Sequence, residues 1–304
     1  CYPDPDCFRL KRALSSKLNV DRDSLIISNG SDEIIVLTLR AFVNSADEVI
    51  VSFPTFLIFE IQSIAQGANV ISVPLMGFRY DLNAILSKIS DKTKVIFIAN
   101  PDNPTGTYVN KYELDNFIRA VPRGIIVYLD EAYFEFVEEG DFPDSLGYIR
   151  ENPNIIVTRT FSKIYGLAGL RVGYGISNPE IISYLNKVRE PFNVNSLAQA
   201  AAIAALKDKR HLENTKQLIK EQKQFLYREF EILKLRYIAS ATNFILVDTG
   251  FDSVCVFKEL LKKGVIVRDM KPYKLDTFIR VTIGKEQENK KFIRTFREVL
   301  DRLK

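Results

Sequence analysis

Lys163 and Arg171 are the two side chains whose types and spacing most directly indicate chemistry in this sequence. Lys163 follows residues 155–158, a β-branched run typical of a buried strand. An amine at the end of such a strand can act as a nucleophile toward a carbonyl carbon. Arg171, further along the same segment, offers a planar cation suited to phosphate. This pairing is what an aldehyde phosphate such as pyridoxal phosphate requires, although a surface lysine beside a turn is the alternative.

Asn103 and Asp130 each follow a short apolar run, and the residues between the two runs have helical spacing. A strand, a helix and a second strand predict a parallel crossover, and ligands bind at the carboxyl ends of parallel strands. Asn103, Asp130 and Lys163 are therefore expected in one crevice.

The chemistry of a pyridine ring assigns a role to each of these residues. Asp130 would keep the ring nitrogen protonated, and Asn103 and Tyr133 would hydrogen-bond the ring hydroxyl. Lys163 would bind the cofactor covalently and then move the substrate's α-proton as acid and base. The alternative for Asp130 is a turn cap after its strand.

Further anion-binding candidates lie elsewhere in the chain. Ser31 and Asp32 follow Gly30 and precede a predicted helix at residues 33–42, whose backbone N–H groups would face an anion. An ordinary N-cap by Ser31 is the alternative. Arg280 and Arg268 lie in or at the end of apolar runs, where an arginine needs an anionic partner. A structural salt bridge is the alternative for Arg268.

Three motifs together resemble those of class I and II pyridoxal-phosphate aminotransferases. They are Asn-Pro-Asp-Asn-Pro-Thr-Gly at 100–106, Asp-Glu-Ala-Tyr at 130–133, and Ser-Lys at 162–163 followed by Gly-Leu-Arg at 169–171. Within that superfamily the sequence most resembles the histidinol-phosphate aminotransferases, and the likeness extends from Tyr2 to Gly284. Members normally carry a further N-terminal arm ahead of the segment that matches residues 2–5.

The resemblance implies a set of site residues and a homodimer with shared sites. Lys163, Asp130 and Tyr133 would be catalytic, Phe56 would stack on the cofactor ring, and Tyr2 would reach the cofactor phosphate of the other subunit. Arg280 would bind the carboxylate of the dicarboxylic substrate and Arg268 an anionic end of the substrate. The cofactor-binding set is Tyr2, Ser31, Asp32, Phe56, Asn103, Asp130, Tyr133, Ser162, Lys163 and Arg171.

The resemblance also implies an activity on small molecules. The leading interpretation is transfer of an amino group from L-histidinol phosphate to 2-oxoglutarate, in histidine biosynthesis. A phosphothreonine decarboxylase and an aromatic-amino-acid aminotransferase remain alternatives, as does a non-enzymatic cofactor-binding regulator. An assay that compares amino transfer with carbon dioxide release distinguishes the leading interpretation from the phosphothreonine decarboxylase.

Composition excludes several other classes. The 304 residues are 46% hydrophobic and 26% charged, with a net charge of +4 and no long basic run, which argues against nucleic acid as the main partner. No apolar stretch approaches the roughly 20 residues of a membrane span. Three cysteines and a single histidine, His211, predict no metal site and favour a reducing cytoplasm. His211 lies in a charged stretch and is expected to be a solvated helix residue.

The pattern of elements predicts an α/β fold with a mostly parallel central sheet. Strands and helices alternate from about Ser24 to Ile176, and the last of these strands is expected at residues 170–176. The C-terminal part has long helices and a few short strands, one of which is expected to end at Arg268. We expect a large cofactor-binding domain at residues 1–208 and a smaller α+β domain at 209–304, with the boundary near Asp208 inside a helix.

Overall fold

The computed structural model describes residues 1–304 and contains two β-sheets surrounded by helices. The strands are β1 Leu25–Ser28, β2 Glu48–Phe53, β3 Asn69–Pro74, β4 Thr93–Ala99, β5 Ile126–Asp130, β6 Ile155–Thr160, β7 Gly173–Ser177, β8 Tyr237–Ile238, β9 Phe244–Asp248, β10 Arg268–Asp269 and β11 Phe278–Thr282. The helices are α1 Phe8–Leu18, α2 Ser31–Phe42, α3 Ile58–Ala65, α4 Leu82–Ser87, α5 Lys111–Ala120, α6 Ser145–Glu151, α7 Pro179–Val188, α8 Ser196–Lys207, α9 Lys209–Ile232, α10 Ser253–Lys262 and α11 Glu286–Leu303.

The larger sheet has seven strands in the order β1-β7-β6-β5-β4-β2-β3. All neighbouring pairs from β6 to β3 are parallel, whereas β7 runs antiparallel to both β6 and β1. Only β7 therefore opposes the other strands, and the predicted mostly parallel α/β sheet is confirmed. Because β7 runs in the opposite direction, it starts at the same edge of the sheet where β1, β2, β4, β5 and β6 end.

Helices cover both faces of this sheet, which is why its central strands are mostly apolar and buried. In β5 all five residues are buried, and alternate side chains point to opposite faces. Ile126 and Tyr128 pack on the face covered by α2, α3 and α7, whereas Val127 and Leu129 pack on the other. A sheet buried on both sides leaves only its strand ends free for polar chemistry.

The second sheet is antiparallel, with the order β10-β11-β9-β8. Its inner face shares one continuous apolar core with the larger sheet, and the Phe244 ring meets the Tyr133 ring with centroids 5.1 Å apart. Asp208 lies between α8 and α9, where its side chain accepts a hydrogen bond from His211 N, so the expected boundary falls at a helix junction rather than inside a helix. The division into two domains stays a prediction.

Three element boundaries were predicted wrongly. Helix α2 begins at Ser31, two residues before the expected start. The strand expected at residues 170–176 begins only at Gly173, because Ala168–Leu170 forms a 3-10 turn. The strand expected to end at Arg268 begins there, because Val265 N still donates to Leu260 O in the turn that closes α10.

None of the helices is both long enough and apolar enough to cross a membrane.

Candidate active site

A pocket of about 240 Å³ lies at the edge of the larger sheet where the six parallel strands end and β7 begins. Its wall includes every predicted cofactor residue except Tyr2. The predicted residues in the wall are Ser31, Asp32, Phe56, Asn103, Asp130, Tyr133, Ser162, Lys163 and Arg171. Side chains that are far apart in sequence therefore meet because parallel strands present their carboxyl ends together.

Lys163 lies in a tight turn after β6 and is half-buried. Gly166 N donates to its carbonyl at 3.0 Å, which closes the turn. The Lys163 Nζ is 5.0 Å from the centroid of the Tyr133 ring, and the Tyr133 side chain is buried. The amine is thus aimed into the pocket over an aromatic wall, and the lysine is not a freely solvated surface residue.

Asp130 ends β5 and is buried. Its Oδ1 accepts a hydrogen bond from Ala132 N at 3.0 Å, so the turn cap considered for this residue is present but uses only one oxygen. Burial raises the pKa of the Asp130 carboxyl to about 7, while the Ala132 hydrogen bond and the charge of Lys163 oppose the rise. A buried carboxylate of this kind gains from a cationic partner inside the pocket.

Asn103 joins the pocket to the second sheet. The Nη1 of Arg280 donates a hydrogen bond to its Oδ1. Because a guanidinium can only donate, this contact fixes the amide so that the Asn103 NH₂ group is free to donate elsewhere. Arg280 also lies over the Phe244 ring at 4.8 Å, and its buried Nε has no hydrogen-bond partner. An unpartnered buried arginine nitrogen is the kind of group that an incoming anion satisfies.

Arg171 and the start of α2 form the anion-binding end of the pocket. Arg171 has a left-handed backbone with φ 54°, and its Nη2 lies 2.9 Å from an oxygen of Asp32. The N-cap of α2 is Gly30, without a side-chain cap, so the expected alternative of Ser31 as N-cap is not seen. The first N–H groups of a helix have no partner within it, so they are available to an anion. Ser162 also lines this pocket.

Of the two predicted aromatic cofactor residues, Phe56 lies in the pocket and Tyr2 lies outside it. Phe56 follows β2 and lines the pocket, with its ring edge-on to Phe59 at 5.6 Å. Tyr2 is 81% exposed, stacks on Phe192 at 4.8 Å, and does not line the pocket of its own chain.

Arg268 lies directly opposite Arg280 in the β10–β11 pair. Opposed residues of an antiparallel pair project from the same face with Cβ atoms about 4.5–5.5 Å apart, where two like charges are unfavourable. None of the ion pairs in the molecule includes either arginine, so the salt bridge considered for Arg268 is absent. The two arginines therefore leave the same face of the second sheet as neighbours, although neither lines the pocket itself, and an external anion would relieve the unfavourable approach of their charges.

His211 is an exposed residue of helix α9, as predicted, and it makes one contact that was not expected. Its Nε2 lies 2.9 Å from the carbonyl oxygen of Ile164, the residue after Lys163. Periodicity gave no signal for this contact because it depends on how α9 packs against the lysine turn. Sequence reasoning also missed the small wall residues that leave the pocket open, among them Ala99, Ala132, Thr160 and Ala168.

These features fit pyridoxal 5′-phosphate. The pocket supplies an amine, a buried carboxylate for a cationic ring nitrogen, a free amide donor and an aromatic ring. Its far end supplies helix N–H groups and an arginine for a dianionic phosphate. Each chemical part of the cofactor therefore has a complementary group, and the residue assignments remain predictions.

A family model, curated relatives and solved structures all match this chain along nearly its whole length. The family model for aminotransferase class I and II matches residues 2–296. Histidinol-phosphate aminotransferases from Moorella thermoacetica and Caldicellulosiruptor saccharolyticus are 50% and 48% identical, each over 98% of this chain and over 78% and 84% of their own lengths. The crystal structure of histidinol-phosphate aminotransferase from Sinorhizobium meliloti in complex with pyridoxal-5′-phosphate superposes with a TM-score of 0.93 at 30% identity, covering 100% of this chain and 84% of the other.

Proposed function

The chain belongs to the aminotransferase class I and II family, and from that premise we propose that it transfers the amino group of L-histidinol phosphate to 2-oxoglutarate. The products are imidazole-acetol phosphate and glutamate, in histidine biosynthesis. The observation that carries the choice of substrate is the opposed pair Arg268 and Arg280 beside the pocket. Neither arginine has an anionic partner in the protein. Histidinol phosphate would supply a phosphate to this pair, and 2-oxoglutarate would supply carboxylates.

Pyridoxal 5′-phosphate supplies the electron sink that makes the α-proton of the amino donor acidic. Lys163 would hold the cofactor covalently through its Nζ and, with the amine free again, would serve as the base and acid for the substrate's α-proton. The Asp130 carboxylate would keep the ring nitrogen protonated. The free Asn103 NH₂ and the Tyr133 hydroxyl would hydrogen-bond the ring oxygen, and Phe56 would pack on the ring.

The anionic ends are held separately from the proton transfer. The α2 N–H groups, Ser162 and Arg171 bind the cofactor phosphate. Because the carboxylate of Asp32 is paired with Arg171, we assign to Asp32 a backbone N–H contact rather than a side-chain contact with phosphate. Arg280 binds the carboxylate of glutamate or 2-oxoglutarate. Arg268 binds the phosphate of the donor or the distal carboxylate of the acceptor.

A paired assay tests the choice of reaction. Purified protein loaded with cofactor is given histidinol phosphate and 2-oxoglutarate, and glutamate is measured. In parallel it is given phosphothreonine, and carbon dioxide is measured. We expect glutamate formation and no carbon dioxide above the rate without enzyme. Carbon dioxide release as the faster reaction would replace the proposal with the decarboxylase alternative, and a phenylalanine donor tested alongside covers the aromatic alternative.

We further propose a homodimer in the cytoplasm. The exposed Tyr2 ring, which does not reach its own pocket, supports a role at the partner's cofactor phosphate. The three cysteines are unpaired, which suits a reducing compartment. Sedimentation at micromolar concentration should show a dimer, and mixing Tyr2→Ala with Lys163→Ala protein tests sharing. If sites are shared, mixed dimers hold one site carrying both lesions and one intact site, so activity rises on mixing. No gain despite measured subunit exchange would contradict shared sites.

A further inference from the structure

Asp102 is a fully buried carboxylate directly behind the pocket, and the proposed chemistry does not use it. It does not line the pocket itself. It lies between two segments that do, since Asn103 is its neighbour in sequence and Thr55, which it contacts, precedes Phe56.

Hydrogen bonds join Asp102 to both segments. Its Oδ1 accepts from Thr55 Oγ1 at 2.5 Å, and its Oδ2 accepts from Thr105 Oγ1 at 2.8 Å and from Thr105 N at 3.2 Å. The Tyr80 hydroxyl lies 2.8 Å from Thr55 Oγ1. The loop after β2 and the loop after β4 are therefore tied together through one carboxylate.

The direction of these hydrogen bonds follows from the single proton of Thr55. Thr55 Oγ1 donates that proton to Asp102 Oδ1, so the Tyr80 hydroxyl is the donor in its contact with Thr55, and it accepts from Ala99 N–H at 2.9 Å. Such a chain must end on a group that only accepts, and an ionised carboxylate is that group. An asparagine would place an NH₂ donor against Thr55 or Thr105, where donors already point.

We propose that Asp102 is a positioning residue that sets the relative placement of Phe56 and Asn103, and thereby the orientation of the cofactor ring. This inference rests on the pocket being the cofactor site and is independent of which amino donor is used. If Asp102 were only a structural brace, its replacement would lower stability and leave cofactor binding unchanged.

A double-mutant cycle of Asp102→Asn and Thr55→Val tests the link in the full-length protein. Apoprotein is titrated with pyridoxal 5′-phosphate to give Kd, circular dichroism of the bound cofactor reports ring orientation, and Tm reports stability. We expect each single variant to raise Kd at least about fivefold and to change the cofactor dichroism. The double variant should be no worse than the weaker-binding single variant, because both changes break the same connection.

Asp141→Asn is the matched control. Asp141 accepts a hydrogen bond from the Tyr108 hydroxyl at 2.8 Å but does not line the pocket, so Kd should stay within about twofold of the parent. Lower Tm with unchanged Kd and dichroism in the Asp102 and Thr55 variants would overturn the proposal, and so would additive losses of affinity. If Asp102→Asn does not fold, Thr55→Val decides alone, since it removes the hydroxyl link and keeps the carboxylate. No amino donor enters these measurements, so a failed histidinol-phosphate assay leaves their outcome unaffected.

Discussion

Lys163 is the residue on which the proposed chemistry depends, and its surroundings fix both its backbone and its amine. The Nζ faces the Tyr133 ring, Asp130 shares the pocket, and His211 contacts the carbonyl of the next residue. The amine is therefore held at the sheet edge while its tip stays accessible to an aldehyde.

Borohydride reduction of the cofactor-loaded protein should fix a pyridoxyl group on Lys163, because reduction makes the bond between its amine and the aldehyde permanent. Peptide mapping by mass spectrometry locates the label. Lys223 is an internal control, since it is buried like a reactive lysine but its Nζ donates to Ser240 O at 2.8 Å outside the pocket. A label on Lys223, or on any lysine in a Lys163→Ala variant, would contradict the assignment.

Arg268→Ala should lower kcat/KM for histidinol phosphate by at least about tenfold, since a charge-assisted hydrogen bond contributes roughly 1.5–3 kcal/mol. Histidinol, which lacks the phosphate, should lose much less. Arg297→Ala is a suitable control because that arginine pairs with Glu229 between α11 and α9 and does not line the pocket. Equal losses for both substrates, with cofactor content unchanged, would make Arg268 a structural residue.

At the scale of elements, the site is a property of strand ends. Parallel strands β2, β4, β5 and β6 each contribute a pocket residue at or just past the last residue of the strand. The meeting of Asn103, Asp130 and Lys163 could be predicted because β-branched runs mark the strands and parallel crossovers align their ends.

Other features were out of reach of such reasoning for physical reasons. Periodicity carries no information on strand direction, so it could not show that β7 runs antiparallel. The contact of His211 with Ile164 depends on helix packing across the chain. In the sequence, Asp102 cannot be distinguished from an ordinary polar loop residue. Its burial and its hydrogen bonds behind the pocket are seen only in the structure.

The junction of Gly30 with α2 gives an element-scale prediction. Gly30 has φ +81°, and a Cβ there would lie 2.3 Å from Arg171 Nη2. Gly30→Ala should therefore displace Arg171 and weaken cofactor binding at least about tenfold, roughly the 1.4 kcal/mol of one hydrogen bond to phosphate. Gly77→Ala is the matched control, since its φ is +58° but no atom lies within 4 Å of the added Cβ. Equal effects of the two variants on Kd would show that backbone strain alone is responsible.

At the scale of the whole molecule, three buried carboxyl groups make the protein less stable as pH rises. This is the opposite of the usual effect of carboxylates, which stabilise the folded state when they ionise. Burial raises the pKa of Asp102 to about 6 and those of Asp130 and Glu135 to about 7. A raised carboxyl pKa means that the folded state holds the proton more tightly than the unfolded state. The contribution of these three carboxylates to the free energy of unfolding of the apoprotein therefore falls as pH rises from about 4 to about 7 and is constant above that range.

Asp130→Asn isolates one of these contributions. The apo variant should match the parent near pH 4 and have a Tm at least about 3 °C higher at pH 8, where the parent has an ionised carboxylate with no cationic ring beside it. Turnover at pH 8 should fall by about two to four decades, because the protonated ring nitrogen loses its partner. Scanning fluorimetry at both pH values and a steady-state assay check the pair of effects. A stability difference that is the same at pH 4 and pH 8 would show that Asp130 does not ionise over this pH range in the folded protein.

The pairing of β1 with β7 also determines when during folding the pocket becomes complete. Ile27 and Tyr174 are partners in that pair, so an early and a late part of the large sheet must meet before α2 and Arg171 come together. Pairings between residues so distant in sequence form slowly, because loop closure precedes the gain from contact. A folding intermediate that has β4, β5 and β6 but lacks β1 would contain Asn103, Asp130 and Lys163 without the assembled phosphate-binding end of the pocket. In refolding, recovery of cofactor absorbance should therefore lag behind recovery of far-ultraviolet circular dichroism. Cofactor binding would then distinguish fully folded molecules from those that lack the β1–β7 pairing.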